Sequence, residues 1–252
     1  MTNPLENHVV ICGWHDGALE IVRQIREDIV RDRWEIVVVA ENVSEKHRAL
    51  LNEHGIRHIQ SDPADKAALR EAGICSAARG IILADRSAGK AADAQSILIA
   101  LAIESLNAEV HTAVEIIESP NRSHFERTRI DEIVCVSEIG EKLLAQAALT
   151  HGLTEFYTRL LTTTSDTNEI YVVDLCDDLV GKTFVEAEEA LADGDFIPIG
   201  IRSDGVTTIN PRLAATATEE YNTAGMRDRD TYKLRKVDQL VVIAYSKPEV
   251  CL

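Results

Sequence analysis

The 252-residue sequence is poor in aromatic side chains, at 4%, and in basic ones, with 26 Lys and Arg against 42 Asp and Glu. With so few rings, packing falls to Val, Ile, Leu and Ala, the residues of a parallel sheet covered by helices. The formal net charge of −16 sets the surface against nucleic acid and anionic membrane, and suits divalent cations or basic partners. Cysteine is scarce and odd in number: Cys12, Cys75, Cys135, Cys176 and Cys251 are widely scattered. That spacing excludes a zinc cluster and reads as thiols of a reducing cytoplasm, three of them in or beside apolar runs. No apolar stretch approaches the ~20 residues of a membrane-spanning helix. The first seven residues lack the basic and apolar parts of a secretory leader, so a soluble chain is expected.

A complete phosphate-binding glycine fingerprint is also lacking. What stands in its place is His8-Val-Val-Ile-Cys-Gly-Trp-His-Asp-Gly17, an apolar run that ends at Gly13. A helical pattern follows, with Leu19, Val22, Ile25 and Ile29 on one face. Strand, tight turn and crossover helix are predicted here, the place where a doubly wound sheet puts its nucleotide. With Gly13 as the first glycine of G-x-G-x-x-G, however, the second place is His15 and the third is Ala18. His15 puts a side chain where a pyrophosphate would need close backbone approach.

Further strand patterns follow in order: residues 35–40 ending at Glu41, 57–60 before Asp62, 80–84 before Asp85, 109–114 before Glu115, and 132–136. Helical patterns separate them at 44–54, 63–71, 93–106 and 121–129, and a sixth helix covers 137–149 with Ile139, Leu143, Leu144 and Ala147 as its stripe. Six strands through residue 150 make a complete Rossmann-like doubly wound parallel sheet. Its carboxyl edge carries Glu41, Asp62 and Asp85 towards the cleft that Gly13 opens. A carboxylate after the second strand is the usual ribose-hydroxyl ligand, which puts Gly13, Glu41, Asp62 and Asp85 forward as a nucleotide site. So many acids repel phosphate, and favour contact through ribose and base, or a cation.

Residues 151–168, with the polar run 162–168, read as a linker. Beyond it, a strand at 169–175, a helix at 183–191, a hairpin of 196–201 with 206–209 around Ser203-Asp204-Gly205, a charged insertion at 210–231 and a strand at 239–245 predict a small α+β domain over 169–252.

Several of these parts occur in a telling order. His8-Val-Val-Ile-Cys-Gly-Trp14, Ser61-Asp-Pro63 with Leu69 and Ala72-Gly-Ile74, Asn168-Glu-Ile-Tyr171, Val180-Gly-Lys-Thr183, Ile209-Asn-Pro211 and Val237-Asp-Gln-Leu-Val-Val-Ile-Ala244 are collinear. Together they resemble the regulator-of-potassium-conductance (RCK) module over nearly the whole chain, the first domain as its N-terminal (TrkA-N) lobe and the second as its C-terminal (TrkA-C) lobe. The likeness is to the gating ring of prokaryotic ligand-gated potassium channels of the MthK type. It implies a non-enzymatic, cytoplasmic homo-oligomer. Dimers would assemble into an octameric ring at the inner face of the membrane, and a ligand would shift the conductance of a potassium pore. A start shortly before the first strand fits either a separate soluble product or a channel trimmed of its pore.

In calcium-gated relatives, acids at the ends of the fourth and fifth strands hold the activating ion. The resemblance carries this onto Asp85 and Glu115. The next acid of the pattern falls on Ile117, and Glu118 is one place further. The effectors expected are thus Ca2+ or another divalent cation at Asp85, Glu115 and Glu118, an adenine nucleotide (NAD, ADP or ATP) in the cleft, or both. Two other functions fit the fold: a nucleotide-binding regulatory subunit of a Trk or Ktr potassium transporter, and an NAD-dependent oxidoreductase, against which the missing glycines argue. His15 and Asp16 have no nucleophile or oxyanion motif beside them, and the eight histidines show no zinc spacing.

Overall fold

A computed structural model describes residues 5–27, 34–163, 167–211 and 232–249. The chain divides into two compact units, Met1–Thr154 and Glu155–Leu252. In the first unit the central strand β1 (Val9–Cys12) is buried along its whole length. Alternate residues of a strand face opposite sides. Accordingly Val10 and Cys12 join one core layer with Leu69, Ile103 and Phe125, while Val9 and Ile11 join the other with Val22 and Leu51. An unbroken apolar run is what a strand covered on both faces needs. Burial pushes the Cys12 thiol up to about 12, so it packs as a small hydrophobe.

Around β1 lie α1 (Ala18–Glu27), β2 (Ile36–Val39), α2 (Glu45–Glu53), β3 (Arg57–Ile59), α3 (Lys66–Glu71), β4 (Arg79–Ile82), α4 (Ala92–Leu106), β5 (His111–Ile116), α5 (Arg122–Phe125), β6 (Glu132–Cys135) and α6 (Val136–Leu149). The strands are parallel, in the order β3-β2-β1-β4-β5-β6. This is the Rossmann order, with its switch point between β1 and β4.

Three boundaries differ from expectation. Strand β5 runs on to Ile116, so Glu115 lies inside it rather than beyond its end. A carboxylate can remain in the sheet there because its side chain is paired. The helix expected at 121–129 is a 3-10 turn, Ser119–Asn121, followed by the short α5. Beyond Phe125, residues 126–129 are all polar or charged and offer no apolar face to bury. The segment read as a linker contains α7 (Leu153–Leu161), for which Leu153, Phe156, Leu160 and Leu161 supply helical spacing. The polar run after residue 161 masked that signal. Ile29 of the first helical pattern and residues 212–231 of the expected insertion lie outside the described residues.

In the second unit, β7 (Glu169–Asp174), β8 (Phe196–Ser203), β9 (Val206–Ile209) and β10 (Gln239–Ala244) form an antiparallel sheet, order β7-β10-β8-β9, and α8 (Phe184–Ala190) packs into the same core. Leu179, Phe184, Ile201, Leu240 and Val242 are buried together. Asp204 (φ 51°) and Gly205 (φ 79°) make the two-residue hairpin turn, whose backbone twist requires positive φ at both places. Buried Asp238 accepts hydrogen bonds from Ser203 Oγ (2.6 Å), Tyr232 OH (2.6 Å) and the Arg235 backbone N–H (2.8 Å). Burial raises its pKa, yet the bonds from Ser203, Tyr232 and Arg235 hold the carboxyl below its ordinary value. Cys12, Cys75 and Cys135 are free thiols, whereas Cys176 is disulfide-bonded, contrary to expectation. Pairing depends on proximity in space, which sequence spacing does not encode.

Helix α8 opens with a reciprocal cap. Thr183 Oγ1 accepts from the Glu186 N–H (3.2 Å), and Glu186 Oε2 accepts from the Thr183 N–H (2.6 Å). Thr183→Ala removes half of it and is expected to cost about 1 kcal/mol. A lower urea midpoint at unchanged slope would show this, and an unmoved midpoint would mean that the cap is dispensable.

Candidate functional site

At the carboxyl edge of the sheet the chain leaves β1 through Gly13, whose φ is +91°. A Cβ on this residue would stand 2.4 Å from the Leu83 carbonyl oxygen. Both the backbone conformation and the approach to the end of β4 therefore demand glycine. Next in sequence, the Trp14 indole N–H donates to His47 Nδ1 on α2 (3.0 Å), with the two rings edge to face.

His15 turns the other way. Its Nδ1 accepts from the Gly17 backbone N–H (3.0 Å), which leaves the ring proton on Nε2, and Nε2–H donates to Glu115 Oε2 (2.9 Å). The same oxygen accepts from the Ala84 N–H (3.1 Å), and Oε1 accepts from Arg86 Nε (3.2 Å) and Nη2 (2.7 Å). The Glu115 side chain is 8% exposed. Burial raises its pKa, but the bonds from His15 and Arg86 prevail and hold the carboxyl below its ordinary value. The knot joins the β1–α1 turn, the β4–α4 loop and β5. Another carboxylate fixes the next loop: Asp93, buried in the first turn of α4, accepts from the N–H groups of Ile117 (2.8 Å) and Glu118 (3.0 Å) and from Asn121 Nδ2 (2.7 Å).

Between these turns lies a cleft of about 630 Å3, and Gly13, Glu41, Asp62 and Asp85 all line it. Asp85 Oδ1 accepts from Ser87 N–H (2.9 Å) and Oγ (2.5 Å), and Asp62 Oδ1 accepts from Ala64 N–H (2.8 Å). Glu41 is exposed and has no hydrogen bond or ion pair among the described residues. Ser96, on α4, lines the same cleft and is 1% exposed, yet its hydroxyl has no partner among the described residues.

The expected divalent set is not brought together. Both Glu115 oxygens are committed within the chain, Asp85 serves as a cap, and Glu118 is exposed with its backbone held by Asp93. Among the described residues no group of three or more His, Cys, Asp or Glu is disposed to hold a metal ion. Calcium takes six to eight oxygens, and in this arrangement the three acids do not fit it. The pyrophosphate cradle fits no better, because its Gly17 amide is spent on His15.

The tie from His15 to Glu115 spans 100 residues of sequence and has no local signature. Ser96 gives none either, being one serine in an apolar helix. Asp93 had one: an acid in the first turn of a long apolar helix.

Residues 4–114 match the family model of the calcium-activated potassium channel slowpoke-like RCK domain. Over those residues the chain is similar to an RCK domain and, taken whole, it resembles the gating-ring modules of ligand-gated potassium channels. The calcium-gated potassium channel TvoK of Thermoplasma volcanium is 27% identical over 98% of this chain, which spans 64% of that protein. The human SLO3 gating ring has the same fold, with a TM-score of 0.70 at 20% identity over 95% of this chain and 44% of that one. The chain therefore spans less than two thirds of either relative's length.

Proposed function

We propose that the chain is the cytoplasmic ligand-sensing module of a potassium channel, a regulatory part rather than an enzyme, which assembles with copies of itself and controls K+ conductance through a membrane-embedded pore. The observation that carries this reading is the collinear likeness to a calcium-gated channel along nearly the whole chain. A ligand that prefers one geometry of the assembled modules shifts the equilibrium by its differential affinity, and the pore reports the shift. The effector is a divalent cation such as Ca2+, a nucleotide-like ligand in the cleft, or both. For Ca2+ to use Asp85, Glu115 and Glu118 it must first displace Arg86 and His15 from Glu115. The filled cradle weighs against the nucleotide-dependent transporter subunit and the oxidoreductase.

Self-association is supported by helix α6, which has no buried residue. Its Ile139, Leu144 and Leu149 are exposed, as are Phe156 and Leu161 on α7. Faces this apolar suit burial against a second copy, and eight modules would close an octameric ring. Light scattering of the purified chain tests this. Dimers and their multiples are expected, reduced to monomers by Ile139→Glu with Leu144→Glu. A wild-type monomer at high concentration would remove the reading.

A further inference from the structure

We propose that the second unit is redox-responsive: the disulfide of Cys176 fastens it under oxidising conditions, and reduction by cellular thiols loosens it. The proposal rests on the reading of the chain as cytoplasmic, because a disulfide in a reducing compartment is as a rule transient or redox-sensing.

Of the five cysteines, Cys12, Cys75 and Cys135 carry free thiols, Cys176 is disulfide-bonded, and Cys251 lies outside the described residues. All three free thiols belong to the first unit, so the bonded sulfur is the one described thiol group of the second. Cys12 and Cys135 are buried, whereas Cys176 is half-buried, at the surface side of its core.

Its place in the unit gives the bond leverage. Cys176 follows β7 and Leu175 directly, and its carbonyl accepts from the Leu179 N–H (3.0 Å), which closes the 3-10 turn Asp177–Leu179. Leu175 and Leu179 both enter the core. The chain beyond is laced to the approach to β10. Lys236 Nζ donates to Asp177 Oδ1 (2.8 Å), the Gly181 N–H to the Leu234 carbonyl (2.8 Å), and the Leu234 N–H to the Lys182 carbonyl (2.9 Å). Leu234 is part of the same core, and Asp238, just before β10, accepts from Ser203 at the end of β8. A covalent bond at Cys176 therefore bears on β7, on the turn before α8, and through residues 232–238 on β8 and β10. A unit this small buries little apolar surface, so a covalent fastener supplies a large share of its stability.

The chemistry is thiol–disulfide exchange with glutathione. A glutathione thiolate attacks one sulfur of the protein disulfide. The S–S bond breaks, a mixed disulfide forms, and the other cysteine leaves as a thiolate that takes up a proton. A second glutathione thiolate attacks the glutathione sulfur of the mixed disulfide and expels the remaining cysteine, which is protonated in turn, and glutathione disulfide is released. Two electrons pass from two glutathione molecules to the protein, and glutathione disulfide drives both steps backwards.

Thermal unfolding of the full chain across glutathione buffers, with alkylation and intact mass to count closed disulfides, tests this. The bond is expected to open over a roughly hundredfold rise in [GSH]2/[GSSG], as a single two-electron couple requires. As it opens, the transition of the second unit should fall by roughly 10 °C while that of the first stays in place. Cys176→Ser should hold the second unit at the lower temperature in every buffer, and Cys75→Ser should leave the response whole. A disulfide that stays closed in excess reduced glutathione would be a permanent staple and would overturn the proposal. So would an unfolding temperature indifferent to its opening, or a response lost in Cys75→Ser. None of these readouts involves conductance, so a failure of the channel reading would leave them standing.

Discussion

Gly13→Ala is expected to destabilise the first unit by about 3 kcal/mol or more, enough to leave most single domains marginal. Two costs add. Alanine at φ +91° occupies a region that costs an L-residue about 1–2 kcal/mol. The new Cβ also meets the Leu83 carbonyl at 2.4 Å, and because that atom is backbone at the end of a buried strand it cannot rotate away. Overpacking of this kind typically costs about 1–3 kcal/mol. Gly205→Ala separates the terms. Its φ is +79°, but nothing lies within 4 Å of the added Cβ, so only the conformational cost of about 1 kcal/mol is expected. Urea unfolding of the two variants should show the larger loss at Gly13. Equal losses would mean that the β1 turn is not pressed against β4 as described.

Glu115→Ala should be nearly as damaging, at about 3 kcal/mol, the lower end of what breaking a buried charged pair costs. The lower end applies because the Arg86 side chain is 51% exposed and recovers hydration. His15 Nε2–H and the Ala84 N–H would be left without their acceptor. The same knot sets a pH dependence. Since the folded-state pKa of Glu115 is held below its unfolded value, the unfolded chain takes up the proton first as pH falls. Its contribution is complete above the ordinary carboxylate range and is lost as pH falls through the depressed folded value. Glu115→Gln, which keeps one acceptor oxygen and does not titrate, should therefore flatten the acid limb of a stability profile measured by thermal unfolding. Parallel acid limbs in the two proteins would show that the carboxylate is not held by its partners in solution.

Much of the architecture was legible because its physical causes are local. Val9–Cys12 reads as a central strand since both faces must be apolar, and Gly13 reads as its exit since no other residue tolerates the turn. Glu41, Asp62 and Asp85 could be placed on one edge from chain order alone, because parallel strands with helical crossovers all end on the same side. What stayed hidden depends on residues far apart in sequence. Nothing near Glu115 announces that His15 and Arg86 will meet it, so the burial and pairing of this carboxylate could not be read from the sequence. Ser96 is a single serine in an apolar helix, and nothing in the sequence shows that its hydroxyl is buried on the cleft wall with no partner among the described residues. Helix α7 was lost beside a polar run whose composition dominated the segment.

The ligand-sensing reading meets its most direct test in single-channel recording from a potassium pore joined to this chain. Ca2+ and an adenine nucleotide would be applied in turn to the face that carries the module. Open probability should change with at least one of them, and a response to the nucleotide should weaken with Glu41→Ala. An open probability that neither ligand alters, and that matches the pore without the module, would contradict the account.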